Sequence, residues 1–324
     1  MANPQLRRPS LSTIRKPKRE DRLSPLPDDI LVNILDRLDF TQAARTSILS
    51  RRWSRLSAKL SRLVINSQDI EARDARSAGL SDDDLVRMNA AAVEATKNIL
   101  ARRHPGEHTI RLLSTTFYLR DDDDDVPISI GHAVGSAMAT HKVEEAEFTV
   151  LTEKEHLQCT VLDMVKYEAR FVSFFNGCPD AFSGLTRLYL ENLRFAESDF
   201  VSNILATCKH LKYLGLLNCE TEMWTTHQVE HAQLGELSLE DCHLGKVELK
   251  WLPRLTRANF VLWTSYQDLP LSFGHVPLLE AVTLENIALS WHKMVKLSTL
   301  LLGTSVQELQ LGLNVKRFGF SQRV

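Results

Sequence analysis

A chain of 324 residues, 44% hydrophobic and 25% charged, has room for one extended domain plus an appendage. Its formal net charge of −2 leaves no excess of positive charge to hold a phosphate backbone, which argues against nucleic acid as a partner. No apolar run approaches the roughly 18 to 20 residues of a membrane span, and the basic N-terminus lacks the apolar stretch of a secretory signal, so no membrane partner is expected and the compartment should be reducing: nucleus, cytoplasm or both.

Residues 1–21 are rich in Pro, Ser and basic side chains and read as a disordered arm. "RKPKR" at 15–19 has the composition of a nuclear-import signal and equally of a solvated tail. Residues 22–66 read as a small helical unit. Within "LSPLPDDILVNILDRL" the residues Leu26, Ile30, Leu31, Ile34, Leu35 and Leu38 recur at three- and four-residue spacing, which predicts a helix with one continuous apolar face. Pro27 suits its first turn, and Asp28 and Asp29 suit the positive end of its dipole. Residues 67–107 are expected to be a linker with one helix, its spacing carried by Leu85, Met88, Ala92 and Ile99. The acidic runs at 82–84 and 121–125 read as solvated loops, because consecutive carboxylates repel and a cation site needs spaced ligands around a turn.

From 108 to 324 the pattern changes to short L-x-x-L-x-L units. "VEEAEF" starts at 143, and later units start at 185, 211, 234, 255, 279 and 306; "HTIRLLSTTFYL" from His108 reads as a degenerate earlier turn. Such spacing is that of leucine-rich repeats, in which each unit contributes a strand and a return segment and buries its apolar side only by stacking on its neighbours. The expected fold is therefore α/β: a small helical unit followed by a repeat solenoid with a parallel sheet on its concave face. Cys219 and Cys242 occupy the repeat position that takes Asn or Cys and read as packing residues. The five cysteines, with Cys159, Cys178 and Cys208, are odd in number and lack a C-x-x-C pair, so neither a disulfide framework nor a zinc knuckle is expected.

One segment has the spacing of a catalytic motif. "HQVEH" at His227–His231 matches H-x-x-E-H, in which two histidines one helical turn apart bind zinc and the glutamate acts as base. It lies between two repeat strands with no evident third ligand, so solvent-facing histidines on a return segment are the expectation. No metal, cofactor or catalytic residue is expected, and no phosphate-binding glycine loop or nucleophile elbow is present in the sequence.

"LSPLPDDILVNILDRLDFTQAARTSILSRRWSRL" resembles the F-box, and its pairing with leucine-rich repeats resembles the plant F-box/leucine-rich-repeat family. The matching features are Leu26-Pro27, the Ile30-Leu31 and Ile34-Leu35 pairs, Leu38, and Leu49-Ser50-Arg51-Arg52-Trp53. The resemblance implies a non-enzymatic substrate-recognition subunit of a Skp–cullin–F-box E3 ubiquitin ligase. Its F-box would dock on a Skp-type adaptor, and through it on a cullin, a RING protein and a ubiquitin-conjugating enzyme, while the repeats hold an unknown target protein. Adaptor contacts are implied for Leu26, Pro27, Ile30, Leu31, Ile34, Leu35, Leu38 and Leu49, with Trp53 structural and Arg51 and Arg52 solvated or at the rim. A binding protein with no role in ubiquitin transfer is the alternative, and a zinc peptidase using "HQVEH" a remote third. The family often continues into further repeats and another domain, whereas this chain ends after a repeat with no recognisable polar cap, which leaves truncation at the C-terminus open.

Strand alternation sends the third, fifth and seventh residues of each unit to the concave face. Among the 21 positions so assigned, Glu145, Glu147, Glu191, Glu236, Glu240, Glu285 and Glu308 are acidic, whereas only Arg187 and Arg257 are basic. Glu191, Tyr213, Glu236, Glu240 and Glu285 are thus the candidate target contacts, and a Lys- or Arg-rich target segment is expected over a phosphorylated one.

Overall fold

The structure, a computed structural model, describes residues 23, 25–38, 42–43, 46, 50–71, 81–104, 108–122, 125–196, 199–222, 224–261, 271–285, 300–301 and 303–312, with 54, 57, 70 and 71 described at the backbone only. Helix α1 (Asp28–Leu35) begins after Pro27 and carries Asp28 and Asp29 in its first turn. Helix α2 (Arg51–Ser57) is capped by Ser50, whose hydroxyl accepts from the Trp53 N–H.

The sheet begins earlier than the leucine pattern. β1 (Arg62–Asn66) lies inside the span expected to be helical and pairs in parallel with β2 (Ile110–Leu119), Arg62 opposite Leu112. Its alternation buries Leu63 and Ile65 and turns Arg62 and Val64 outward, which is the signature of a half-buried strand. Between them run α3 (Ser67–Glu71) and α4 (Asp82–Ala101), so residues 67–107 contain the expected helix as α4 and, with α3, form the return of a first sheet turn. Asp82–Asp84, expected in a solvated loop, form the first turn of α4: Ser81 and Asp84 cap each other reciprocally, and the carboxylates meet the positive end of the helix dipole.

The next turns alternate strand and helix. In chain order they are α5 (Asp125–Thr140), β3 (Val143–Thr152), α6 (Val161–Gly177), α7 (Pro179–Ser183), β4 (Arg187–Glu191), α8 (Phe200–Thr207) and β5 (Tyr213–Leu217). Beyond β5 the return segments are strands: β6 (Thr226–Glu230), β8 (Lys246–Trp251) and β10 (Leu271–His275) alternate with β7 (Glu236–Glu240), β9 (Arg257–Val261), β11 (Ala281–Glu285) and finally β12 (Glu308–Gly312). The result is a nine-stranded parallel sheet, β1-β2-β3-β4-β5-β7-β9-β11-β12, and behind its later turns a three-stranded parallel sheet, β10-β8-β6. Helix α8 packs against β6, so the strands continue the layer that the helices began.

Between sheet and helices lies an aromatic core. The Phe174 ring sits 4.9 Å from Phe182 and 5.5 Å from both Phe117 and Phe148, mostly edge to face. Gly131 lets α5 approach this cluster, for a Cβ there would stand 2.5 Å from Cys178 Sγ and 2.7 Å from the Phe174 ring. The later core is aliphatic, with Leu188, Leu190, Leu214, Leu216, Leu237 and Leu239 all buried. Cys219 and Cys242 are fully buried within it, as packing residues.

Candidate functional site

Two surfaces carry the residues singled out in the sequence: helix α1 and the concave side of the long sheet. On α1 the apolar stripe divides. Leu31 and Leu35 are 0% and 1% exposed and pack with Trp53, Leu56, Leu60 and Leu63, so they belong to the chain's own core and offer a partner nothing directly. Leu26 and Leu38 are half-buried against the same core. The exposed apolar surface falls instead to Ile30 at 42% and Ile34 at 36%, one helical turn apart, with Pro27 beside them and Leu23 also exposed. A helical period reports one apolar face but not what covers each part of it. Leu49 lies outside the described residues.

Polar contacts hold this helix in place. Arg52, expected at the rim, donates from Nε to Asp28 Oδ1 at 2.8 Å and from Nη2 to the Leu26 carbonyl at 2.6 Å, clamping the start of α1 to α2. Trp53 is buried at 9% exposure, whereas Arg51 is exposed. At the other end Asp36 accepts from the Ser61 N–H at 2.9 Å, the Ser61 hydroxyl at 2.6 Å and Arg111 Nη2 at 3.3 Å, joining α1 to the first two strands.

On the long sheet the strands stand in an unshifted parallel register, so concave side chains form rows. Glu147, Arg187, Tyr213, Glu236, Arg257, Ala281 and Glu308 make one row, and Glu191, Leu217, Glu240, Val261, Glu285 and Gly312 another. The excess of acids expected on this face is partly offset within it. In the first row acids and arginines alternate, Arg257 lying 4.0 Å from Glu236, and Lys212 bonds Glu145 at 3.0 Å at the margin. Glu191 accepts from the Thr152 N–H at 2.8 Å and its hydroxyl at 3.3 Å, and burial pushes its carboxyl pKa up, so it is occupied within the fold. Among the described residues Glu240 and Glu285 accept from neutral neighbours, Ser238 and Gln310. Tyr213 holds the Arg187 guanidinium 3.4 Å from its ring centre, and Gly215 leaves the space in which Tyr189 and Tyr213 lie together, since a Cβ would stand within 3 Å of both.

Sequence reasoning missed the edge where the strands leave the sheet. Asn192, Asn218 and Asp241 follow three successive strands and adopt φ of 57°, 49° and 49°, a left-handed conformation that Asn and Asp tolerate best after glycine. Asn218 Nδ2 donates to Asn192 Oδ1 at 2.6 Å, and Asn192 Nδ2 to Thr152 Oγ1 at 2.5 Å and the Lys154 carbonyl at 2.9 Å, forming a buried polar ladder. Its signal was readable as "ENL", "LNC" and "EDC" at the repeat period.

"HQVEH" is not a helix, and its histidines do not face solvent. It runs along β6, where residues four apart lie about 13 Å from each other and not one helical turn. His227 and His231 are 3% and 7% exposed and face inward with Val229. His227 Nε2 pairs with Thr221 Oγ1 at 2.9 Å and His231 Nε2 with the Cys208 carbonyl at 3.0 Å, and burial lowers the pKa of both. Among the described residues no group of three or more His, Cys, Asp or Glu is placed to hold a metal ion, and no helix is long and apolar enough to cross a membrane.

Residues 23–64 match the F-box domain family. An F-box/FBD/LRR-repeat protein of Arabidopsis thaliana is 25% identical over 255 residues, covering 76% of this chain and 51% of its own length. A second protein of that description and organism is 25% identical over 226 residues, 68% of this chain and 48% of its own. An F-box protein of the same plant is 45% identical over 51 residues, 16% of this chain and 10% of its own. The chain thus spans about half the length of the first two. An F-box domain at residues 23–64 leading into a parallel repeat sheet gives this chain the architecture of the plant F-box/leucine-rich-repeat proteins it is similar to.

Proposed function

We propose that this chain is the substrate-recognition subunit of a Skp–cullin–F-box E3 ubiquitin ligase. The F-box match at 23–64 carries the proposal, supported by the exposure of Ile30 and Ile34 on a helix otherwise committed to the core. In this reading α1 and its neighbours bind a Skp-type adaptor, and the adaptor brings a cullin, a RING protein and a ubiquitin-conjugating enzyme. The concave rows hold the target. Chemistry belongs to the partners, and this chain contributes proximity, which converts a bimolecular transfer into an effectively intramolecular one. The nucleus and the cytoplasm are the compartments that fit.

Ile30 and Ile34 are already more than half buried, so covering their remaining 42% and 36% contributes about 1 kcal/mol each, and an adaptor contact needs further surface around them to offset the cost of association. Ile34→Asp puts a carboxylate where that contact must be dry. Expected is loss of capture by a Skp-type adaptor with an unchanged Tm; capture of an Ile30→Asp/Ile34→Asp variant at natural strength would refute the assignment of this face. Leu31→Asp should also abolish capture, but by unfolding the helical unit, so Tm separates the two. Ubiquitin transfer to a captured partner in a reconstituted ligase tests the rest of the reading.

A further inference from the structure

Where α2 meets the C-terminus of α4, a cavity of about 350 Å³ opens between Arg55 and Lys59 on one side and Arg102, Arg103, His104 and His108 on the other. Among the described residues no carboxylate lines it. Arg103 is 6% exposed; its Nη1 donates to the Leu60 carbonyl at 2.8 Å, while its Nε and Nη2 have no partner among the described residues. His108 Nε2 is likewise buried and without a partner among the described residues. Buried polar atoms almost always find a partner, and buried charges do so more stringently. The one carboxylate whose charge bears on Arg103, that of Asp36, is engaged by Ser61, Arg62 and Arg111. A helix C-terminus favours cations and so accounts for Arg102 and for Arg55 in the last turn of α2, but not for the buried guanidinium of Arg103 between the two helix ends.

We propose that this cavity binds a small, multiply charged phosphate-bearing anion, gripped at its base by Arg103 and at its rim by Arg55, Lys59 and Arg102. The free Nε and Nη2 of a guanidinium form the edge that takes two phosphate oxygens in parallel. Water could accept from these donors but brings no charge to offset Arg55, Arg102 and Arg103; of the four cations, Lys59 has the Asp28 carboxylate at 3.9 Å. The anion would bridge the last F-box helix and the first return of the sheet, and it would do so whether or not an adaptor is bound.

Calorimetric titration of the purified full chain with sodium pyrophosphate at low ionic strength tests this, with sodium chloride of matched ionic strength as reference. Arg103→Gln alone risks unfolding, so the deciding variant is Arg55→Gln/Arg102→Gln, whose side chains are exposed. Saturable one-to-one binding by the natural chain, weakened at least about tenfold in the double variant with unchanged circular dichroism, is the expected result, equivalent to about 1.4 kcal/mol or more. Absence of saturable binding, or equal affinity in the double variant, overturns the proposal. So does binding to phosphatidylcholine vesicles containing phosphatidic acid without binding of pyrophosphate, which would assign the basic cavity to a lipid headgroup.

Discussion

Asn218→Ala tests the polar ladder along the sheet edge. The side chain donates to Asn192 Oδ1 at 2.6 Å and the His156 carbonyl at 3.4 Å, and the residue sits at φ 49° with 8% exposure. Losing two hydrogen bonds costs about 0.5 to 1.5 kcal/mol each, and the second is long, so its share is small. Asn192 Oδ1, left buried and unsatisfied, adds about 1 kcal/mol or more, and alanine in the left-handed region roughly another. The expected destabilisation is about 3 kcal/mol. Asn218→Gly removes the same hydrogen bonds but restores the backbone freedom, and should recover about 1 kcal/mol of the loss. Urea unfolding followed by far-UV circular dichroism measures both, and a double-mutant cycle with Asn192→Ala should return a coupling on the order of 1 kcal/mol. An alanine variant within about 0.5 kcal/mol of the natural protein, or a glycine variant less stable than alanine, would refute the reasoning.

Burial favours neutral imidazoles at His227 and His231, so the unfolded chain binds protons more tightly at both; stability should be full above the ordinary histidine value of 6.5 and decline as pH falls below it. Unfolding midpoints from pH 7 to roughly 5 should show that slope, and a His227→Gln/His231→Gln variant should flatten it. Phe174→Ala opens a cavity among Phe117, Phe148 and Phe182 and should cost about 3 to 5 kcal/mol by the same urea assay. Charge reversal at Glu236 and Glu240 should slow association with a captured basic target at low salt, and equal association rates for the natural and double Lys chains would remove the electrostatic role from this face.

The repeats were legible because a strand stacked on identical strands repeats its inward pair, and Leu188/Leu190, Leu214/Leu216 and Leu237/Leu239 stand at the repeat period as a result. β1 was not, because "RLVIN" alternates over only five residues and each of them pairs with a residue 50 positions further along, as Arg62 does with Leu112, beyond any local pattern. The histidines of β6 were misjudged through their spacing. Read at period two, His227, Val229 and His231 share one face and Thr226, Gln228 and Glu230 the other, and the burial follows that alternation. Glu191 illustrates a different limit: a residue can occupy a concave position and still be spent on a neighbouring strand, a distinction only the Thr152 contact reveals.

The same blindness divided the α1 stripe, and there the division has a functional consequence. Leu31 and Leu35 anchor the helix to the core that contains β1's Leu63, while Asp36 ties its end to Ser61 and, through Arg111, to β2. The helix that bears Ile30 and Ile34 is therefore fixed to the edge of the very sheet whose concave rows would hold a target. In the proposed function a ligase docked on α1 would meet that target at a set angle, because β1, at the edge nearest α1, is hydrogen-bonded through β2, β3, β4, β5, β7, β9 and β11 to β12 in one parallel sheet. Lengthening the α2–β1 connection by a few glycines would uncouple them. Adaptor capture should survive that insertion, whereas ubiquitin transfer to a bound target should fall.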